Sequence, residues 1–213
     1  MTRIAPSLLA ADFLHLSDAV DIVNRYADIL HVDVMDGSFV PNISVGFPVV
    51  EAIAPASTKP LDVHLMICSP EKYASKFATI DGVGMVSFHL DASDDPESLL
   101  EEIRSHGVKA GLVINPDIRV EALFPYLEHC DFILIMSVFA GFGGQKFIET
   151  TYDRIACLRK EIDRRGLDIS IEVDGGVSGT NSGKLVKSGA DILVAGTAVF
   201  KAEDPAAAIA SMR

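Results

Sequence analysis

The stretch that decides the fold is HVDVMDGSFVPN, residues 31–42. It begins like a buried strand, yet it sets His31, Asp33 and Asp36 where a core would take apolar groups. In a strand, residues two apart share a face, so His31, Asp33 and Met35 point one way while Val32 and Val34 point the other. The apolar face can pack beneath helices, and the polar face must look into an interior that uses it. The same phase recurs in LDVHLM, where Asp62, His64 and Met66 oppose Leu61, Val63 and Leu65. It recurs again in ISIEVD, where Ser170, Glu172 and Asp174 oppose Ile169, Ile171 and Val173. Three strands therefore send polar groups toward one interior, near their C-terminal ends.

Working outward, short β-rich runs alternate with amphipathic stretches of helical period. Strands are expected near residues 3–9, 29–35, 61–66, 83–88, 108–114, 131–137, 169–173 and 191–195. Helical stretches lie between them, among them RVEALFPYLEH and FIETTYDRIACLRKEIDRRG, in which Ile148, Ile155, Leu158 and Ile162 recur at helical spacing. Ser69-Pro70 and Asp95-Pro96 read as helix N-cap and first-turn pairs. Eight strand-helix units fit a compact, single-domain (β/α)8 barrel over residues 1–213. The competitor, an open doubly wound sheet, would ordinarily show a glycine-rich turn after its first strand, and no glycine precedes Gly37.

Composition narrows the function. Half of the 213 residues (49%) are hydrophobic, which suits a globular chain. Thirty acidic against eighteen basic residues leave a net charge of −12, which argues against nucleic acid or an anionic membrane surface as partner. A local pocket can still hold an anionic small molecule. Cys68, Cys130 and Cys157 are few and scattered, so neither a disulfide framework nor a zinc ribbon is suggested. A cytoplasmic enzyme is expected: PSLLAA is too short for a signal-peptide core, and no run reaches the roughly 18 to 20 apolar residues of a membrane span.

A barrel keeps its active site at the C-terminal ends of its strands. There His31, Asp33, His64 and Asp174 make a mixed nitrogen and oxygen set suited to one divalent ion such as Zn²⁺, Fe²⁺ or Mn²⁺. A single inward histidine is more often a hydrogen-bonded core residue, but four such residues in phase on three strand ends reverse that weighting. Met35, Met66 and Met136 would taken singly be core filling, and above a metal they make a dry, polarizable lid. His15, His106 and His129 read as surface, and His89 as supporting or structural. Glycine-rich turns follow the last three strands: Gly141-Phe142-Gly143-Gly144, Asp174-Gly175-Gly176 and Ala195-Gly196-Thr197. Glycines let main-chain amides approach an anion closely, and three such turns together favour a phosphate pocket.

The motifs IAPSLLAADF, HVDVMDGSFVPN, LDVHLM, GFGGQKFI, EVDGG and AGTAVF, spread from residue 4 to residue 200, closely resemble the ribulose-phosphate 3-epimerase family. That resemblance implies interconversion of D-ribulose 5-phosphate and D-xylulose 5-phosphate, with a phosphorylated ketose as substrate and homo-oligomerisation left open. It implies that His31, Asp33, His64 and Asp174 bind the metal and that Asp33 and Asp174 exchange protons. Ser7 and His64 would contact substrate, Gly141 to Gly144, Gly175, Gly176, Gly196 and Thr197 would hold the phosphate, and the three methionines would cap the sugar carbons. The chain departs from the family pattern at Phe139-Ala140, where an acidic or amide residue and then proline usually precede GFGG. An epimerase for a six-carbon ketose phosphate would share the same set. A barrel decarboxylase would carry Asp-x-Lys-x-x-Asp where this chain reads DVMDGS. A non-catalytic sugar-phosphate binder would have no need of both aspartates.

Overall fold

The inward-polar, outward-apolar alternation is realised in eight parallel strands. A computed structural model describes residues 2–213. The strands are β1 (Arg3–Pro6), β2 (Leu30–Met35), β3 (Leu61–Met66), β4 (Val83–His89), β5 (Lys109–Ile114), β6 (Phe132–Met136), β7 (Ser170–Asp174) and β8 (Ile192–Ala195). They form one sheet in the order β1-β8-β7-β6-β5-β4-β3-β2. Its two ends meet edge to edge. Asp28 donates its N–H to the Ile4 carbonyl at 3.1 Å, the Ile4 N–H donates to Asp28 Oδ2 at 2.8 Å, and Ser7 bridges to His31. The sheet is thus a nearly closed barrel.

Around it run α1 (Leu16–Tyr26), α2 (Phe47–Ile53), α3 (Ala74–Ala78), α4 (Pro96–Ser105), α5 (Thr151–Arg165), α6 (Ser182–Ser188), α7 (Thr197–Phe200) and α8 (Pro205–Ala210). The outward strand residues Val32, Val63, Leu65, Ile171 and Val173 are fully buried against helix residues that include Val23, Leu100, Ile103, Ile155, Leu158 and Ile162. Each such side chain contributes about 1.5–3 kcal/mol through removal from water. A second buried apolar cluster gathers Ala5, Ile29, Met85, Phe132, Ile192 and Val194. Gly111 faces Phe132 across β5 and β6, and a Cβ there would lie 2.6 Å from the ring, so the glycine makes room for that ring.

The structure departs from the sequence reading in four places. The first strand ends at Pro6, because Ser7 turns the chain into a short 3-10 turn, Leu8–Ala10, by accepting the Leu9 N–H. RVEALFPYLEH is not an α-helix: Val120–His129 is 3-10 helical, with Pro125 inside it removing a donor. The α5 helix starts only at Thr151, which leaves Ile148 outside it. Ser69 stands at the N-cap of a 3-10 turn, Pro70–Lys72, with Pro70 in its first turn, but in a left-handed conformation (φ 52°) and with no side-chain capping bond, whereas Asp95 accepts the Ser98 N–H at 3.3 Å and caps α4 as expected.

Helix α5 also steadies the top of the barrel. Arg154 donates to the carbonyls of Met136 at 2.9 Å and of Asn115 and Ile118 at 2.8 and 3.2 Å. The ends of β5 and β6 are thereby held by one guanidinium whose rigid fork suits several acceptors at once.

Candidate active site

Parallel pairing brings the polar residues of β2 and β3 level. His31 lies beside Asp62, Asp33 beside His64, and Met35 beside Met66. Asp33 is the hub of the arrangement. Its Oδ2 accepts the Ser7 hydroxyl at 2.6 Å, and its Oδ1 lies 3.3 Å from His31 Nε2 and 3.2 Å from His64 Nδ1. His31 Nδ1 is 2.5 Å from Asp62 Oδ2 and 3.8 Å from Glu172 Oε1. His64 Nε2 is 3.0 Å from His89 Nε2. All three histidines are fully buried.

One donor atom from each of His31, Asp33, His64 and Asp174 lies within 4.8 Å of every other, so these four could hold a metal ion. The donor set fits: two imidazoles and two carboxylates suit a divalent transition metal. Each histidine also has its far nitrogen engaged by a partner, Asp62 behind His31 and His89 behind His64, as is usual for imidazoles that ligate metals.

The electrostatics separate the two carboxylates. Burial alone would raise Asp33, but the His31 charge and the hydrogen bonds from His31 and His64 outweigh it and hold Asp33 far below the usual carboxylate range. Burial, and after it the negative charge of Asp33, push Asp174 up to about 7. Two carboxylates a few ångströms apart thus differ strongly in proton affinity, the pattern expected of an acid and a base. Burial opposes the charged form of His31 and is overcome by Asp33 and Asp62, so that its pKa is raised well above the ordinary value. Burial lowers His64 and, with the His64 charge, lowers His89 much further.

Beneath this layer Glu172 is fully buried with neither oxygen hydrogen-bonded, and Asp62 Oδ1 likewise has no partner. Burial first, and then the charge of Asp62, push the Glu172 carboxyl well above its usual range, which favours its protonated form. A neutral Glu172 lowers the cost of placing so much charge under the site.

Above the cluster opens a cavity of about 240 Å³. Ser7, Asp33, Met35, Met66, Met136, Asp174 and every glycine singled out in the sequence line it: Gly141, Gly143, Gly144, Gly175, Gly176 and Gly196, with Phe142 and Thr197 beside them. His31 and His64 are fully buried and lie beneath the residues that line it. Gly175 and Gly176 have φ of 114° and 63°, and a Cβ on Gly175 would sit 2.4 Å from Val138 Cγ2. Only glycine fits such a turn without strain. Ser137 donates its N–H to the Asp174 carbonyl at 2.7 Å and so fixes the end of β7.

The loops are cross-tied. Asn42 Nδ2 donates to the Gly141 carbonyl at 2.8 Å, and Gln145 Nε2 donates to the carbonyls of Phe139 and Phe142 at 2.7 and 2.8 Å. Asp36 belongs to this framework rather than to the cavity, since it accepts N–H groups from Ser38, Phe39 and Cys68. Sequence reasoning left out Asp62 and Glu172, although they share the phase of the site residues and stand one inward position below them. It left His89 undecided and missed Asn115 altogether. His15 and His106 are exposed, as expected, whereas His129 is half-buried beside Glu97 and Glu101.

A (β/α)8 barrel with a His/Asp cluster under a glycine-walled cavity defines the class. In fold it is similar to KGPDC from Streptococcus mutans (TM-score 0.74, 14% identity, 99% of this chain and 95% of that one). It is likewise similar to 3-hexulose-6-phosphate synthase (TM-score 0.72, 17% identity, 99% of this chain and 98% of that one). Sequence identifies the group within that class. The Ribulose-phosphate 3 epimerase family matches over residues 3–200, and the chain belongs to that family. It is 48% identical to the ribulose-phosphate 3-epimerase of Synechocystis sp., covering 99% of this chain and 92% of that protein. It is 41% identical to that of Bacillus subtilis, covering 100% and 99%. With relatives named as 3-epimerases of ribulose phosphate in bacteria and in a plant chloroplast, the chain is an epimerase. Among the described residues no helix is long and apolar enough to cross a membrane.

Proposed function

We propose that this epimerase interconverts D-ribulose 5-phosphate and D-xylulose 5-phosphate by metal-dependent, two-base proton transfer. The observation that carries the reading is the pair of neighbouring carboxylates, Asp33 held ionised and Asp174 raised to about 7, on the wall of one cavity. Inverting a carbon beside a ketone means taking a proton from one face of a planar enediolate and delivering one to the other. A single base serves both faces poorly. Asp33 and Asp174 divide the work, one ionised and one protonated, and exchange roles with reaction direction.

His31, Asp33, His64 and Asp174 would hold one divalent ion, Zn²⁺, Fe²⁺ or Mn²⁺. When bound, it would supply Lewis-acid stabilisation of negative charge on the substrate oxygens. Ser7 orients Asp33 through their 2.6 Å hydrogen bond. Met35, Met66 and Met136 keep the sugar carbons in a dry surround, which strengthens the electrostatics at the reacting centre. The phosphate lies against the main chain of Gly141 to Gly144, Gly175, Gly176, Gly196 and Thr197, where loops after the late strands and a short following helix, here α7, make the usual barrel phosphate site. The bacterial relatives suit a cytoplasmic enzyme.

The test is turnover of the purified protein in D2O with D-ribulose 5-phosphate, with a six-carbon ketose phosphate and with free ribulose. The expected result is deuterium at C3 and epimerisation of the pentose phosphate, lost on chelation and restored by a divalent transition metal. Remote binding energy orients the reacting carbon, so free ribulose should lose turnover as well as affinity. Full activity in protein shown by elemental analysis to be metal-free would refute the metal assignment. Preference for the six-carbon substrate would refute the pentose assignment.

A further inference from the structure

Behind His64 runs a line of hydrogen bonds whose direction is fixed at its far end. The Ala140 N–H donates to Asn115 Oδ1 at 3.2 Å. A main-chain N–H can only donate, so that end of the amide is the oxygen, and Asn115 Nδ2, a donor, faces His89 Nδ1 at 3.4 Å. His89 Nδ1 is therefore bare, and its proton sits on Nε2. Two N–H groups cannot share the 3.0 Å gap between His89 Nε2 and His64 Nε2, so His64 Nε2 is bare as well. The His64 proton is left on Nδ1, pointing at Asp33 Oδ1 3.2 Å away. Both rings are fully buried. Every bond runs one way, from the loop before GFGG to Asp33.

That direction is the wrong one for ligation. Nδ1 is the His64 nitrogen turned toward Asp33, and a ligating nitrogen must be bare. We propose that metal binding reverses the line. His64 then carries its proton on Nε2 and donates to His89 Nε2, and His89 carries its proton on Nδ1. The pair keeps its two protons: one leaves at His64 Nδ1 and one arrives at His89 Nδ1. Asn115 Nδ2 can no longer face that nitrogen, so its amide must turn, offering Oδ1 to His89 and giving up the Ala140 N–H. The Asp91 carboxylate, 3.9 Å from His89 Nδ1, is a second acceptor on the same side. His89 and Asn115 are thus positioning residues, and the phosphate loop and the metal site are coupled through them. The inference rests on the reading that His64 is a metal ligand.

The experiment uses protein with 15N-labelled histidine, titrated with Zn²⁺ alone, with uptake followed by calorimetry and ring protonation by 15N NMR. Metal-free protein should show His89 protonated on Nε2 and His64 on Nδ1; zinc-loaded protein should show the opposite nitrogens, with a shift of the Ala140 amide. Zinc uptake with His89 unchanged would overturn the inference and leave the metal reading standing, while absence of uptake would overturn both. Ala140→Pro removes the N–H at the head of the line. It should tighten zinc binding by about three- to tenfold, the size of one ordinary hydrogen bond. In an Asn115→Ala background the same substitution should change nothing. An equal effect in both backgrounds, or none in either, would overturn the link to Ala140.

Discussion

On one side of the cavity, β2 and β3 present Asp33 above the buried His31 and His64, side chains tied to each other and to Asp62, Ser7 and His89. On the other, the loops after β6, β7 and β8 present glycines, whose contribution is main chain and space. The first wall sets charge and proton position through residue identity. The second sets shape through backbone conformation. The two walls should therefore fail differently: the first loses chemistry while the fold survives, and the second loses folding stability wherever the backbone is constrained.

The largest effect is expected at the carboxylates. Asp33→Asn and Asp174→Asn should each lower turnover at least about a hundredfold, the lower end of the usual acid-base contribution, with the fold intact. Steady-state kinetics with metal content measured alongside checks this. Either variant keeping its metal and near-normal turnover would remove that residue from the two-base scheme.

On the glycine wall, Gly175→Ala should destabilise the protein by about 1–3 kcal/mol, because φ is 114° and Val138 fills the Cβ position. Gly143 has open space around it, its nearest neighbour being Leu9 Cδ2 at 4.0 Å, so Gly143→Ala should stay within about 0.5 kcal/mol. Urea unfolding of the two variants compares them directly. Equal losses would show that the strain assigned to Gly175 is absent.

Metal uptake should depend on pH with a definite sign. Asp174, raised to about 7, is protonated below that pH and must lose its proton to ligate, so affinity falls as pH falls through 7. His31, raised well above its ordinary value, must also give up its Nε2 proton, which adds a loss at every pH below its own titration. Affinity should thus climb from pH 5 to 8, with the slope below pH 7 steeper by about tenfold per unit. Calorimetry in buffers of different ionisation enthalpy counts the protons released. A flat profile across pH 7 would contradict the raised Asp174.

A small effect on turnover is expected at Ala140. Proline there fixes a backbone angle and removes one N–H, so kcat/KM should change by less than roughly tenfold, about 1.4 kcal/mol. Direct comparison of the variant with the natural protein checks it. A larger gain would mean that the glycine wall of the natural chain is poorly preorganised.

Much of this was legible in the sequence because strand period fixes which residues share a face. HVDVM, LDVHLM and SIEVD assign their inward residues by alternation alone, and the barrel keeps all three assignments. The bounds of Val120–His129 and of the first strand were not legible in the same way, since Pro125 and the Ser7 turn override apolar spacing. Asp62 and Glu172 were visible as inward residues, but their depth is a matter of barrel stagger between strands, which one strand's pattern does not carry. The role of Asn115 depends on a contact with Ala140, 25 residues away in another loop, and no local signal encodes it.

The central claim is that Asp33 and Asp174 serve opposite faces of one carbon. The most direct measurement is C3 proton exchange in D2O with Asp33→Asn and Asp174→Asn, each metal-loaded and each given D-ribulose 5-phosphate and D-xylulose 5-phosphate separately. The account predicts that neither variant interconverts the two sugars at more than about a hundredth of the normal rate. It also predicts that each variant still exchanges the C3 proton of one epimer, and that the two variants exchange opposite epimers. Exchange of the same epimer by both, or interconversion at the normal rate by either, would contradict it.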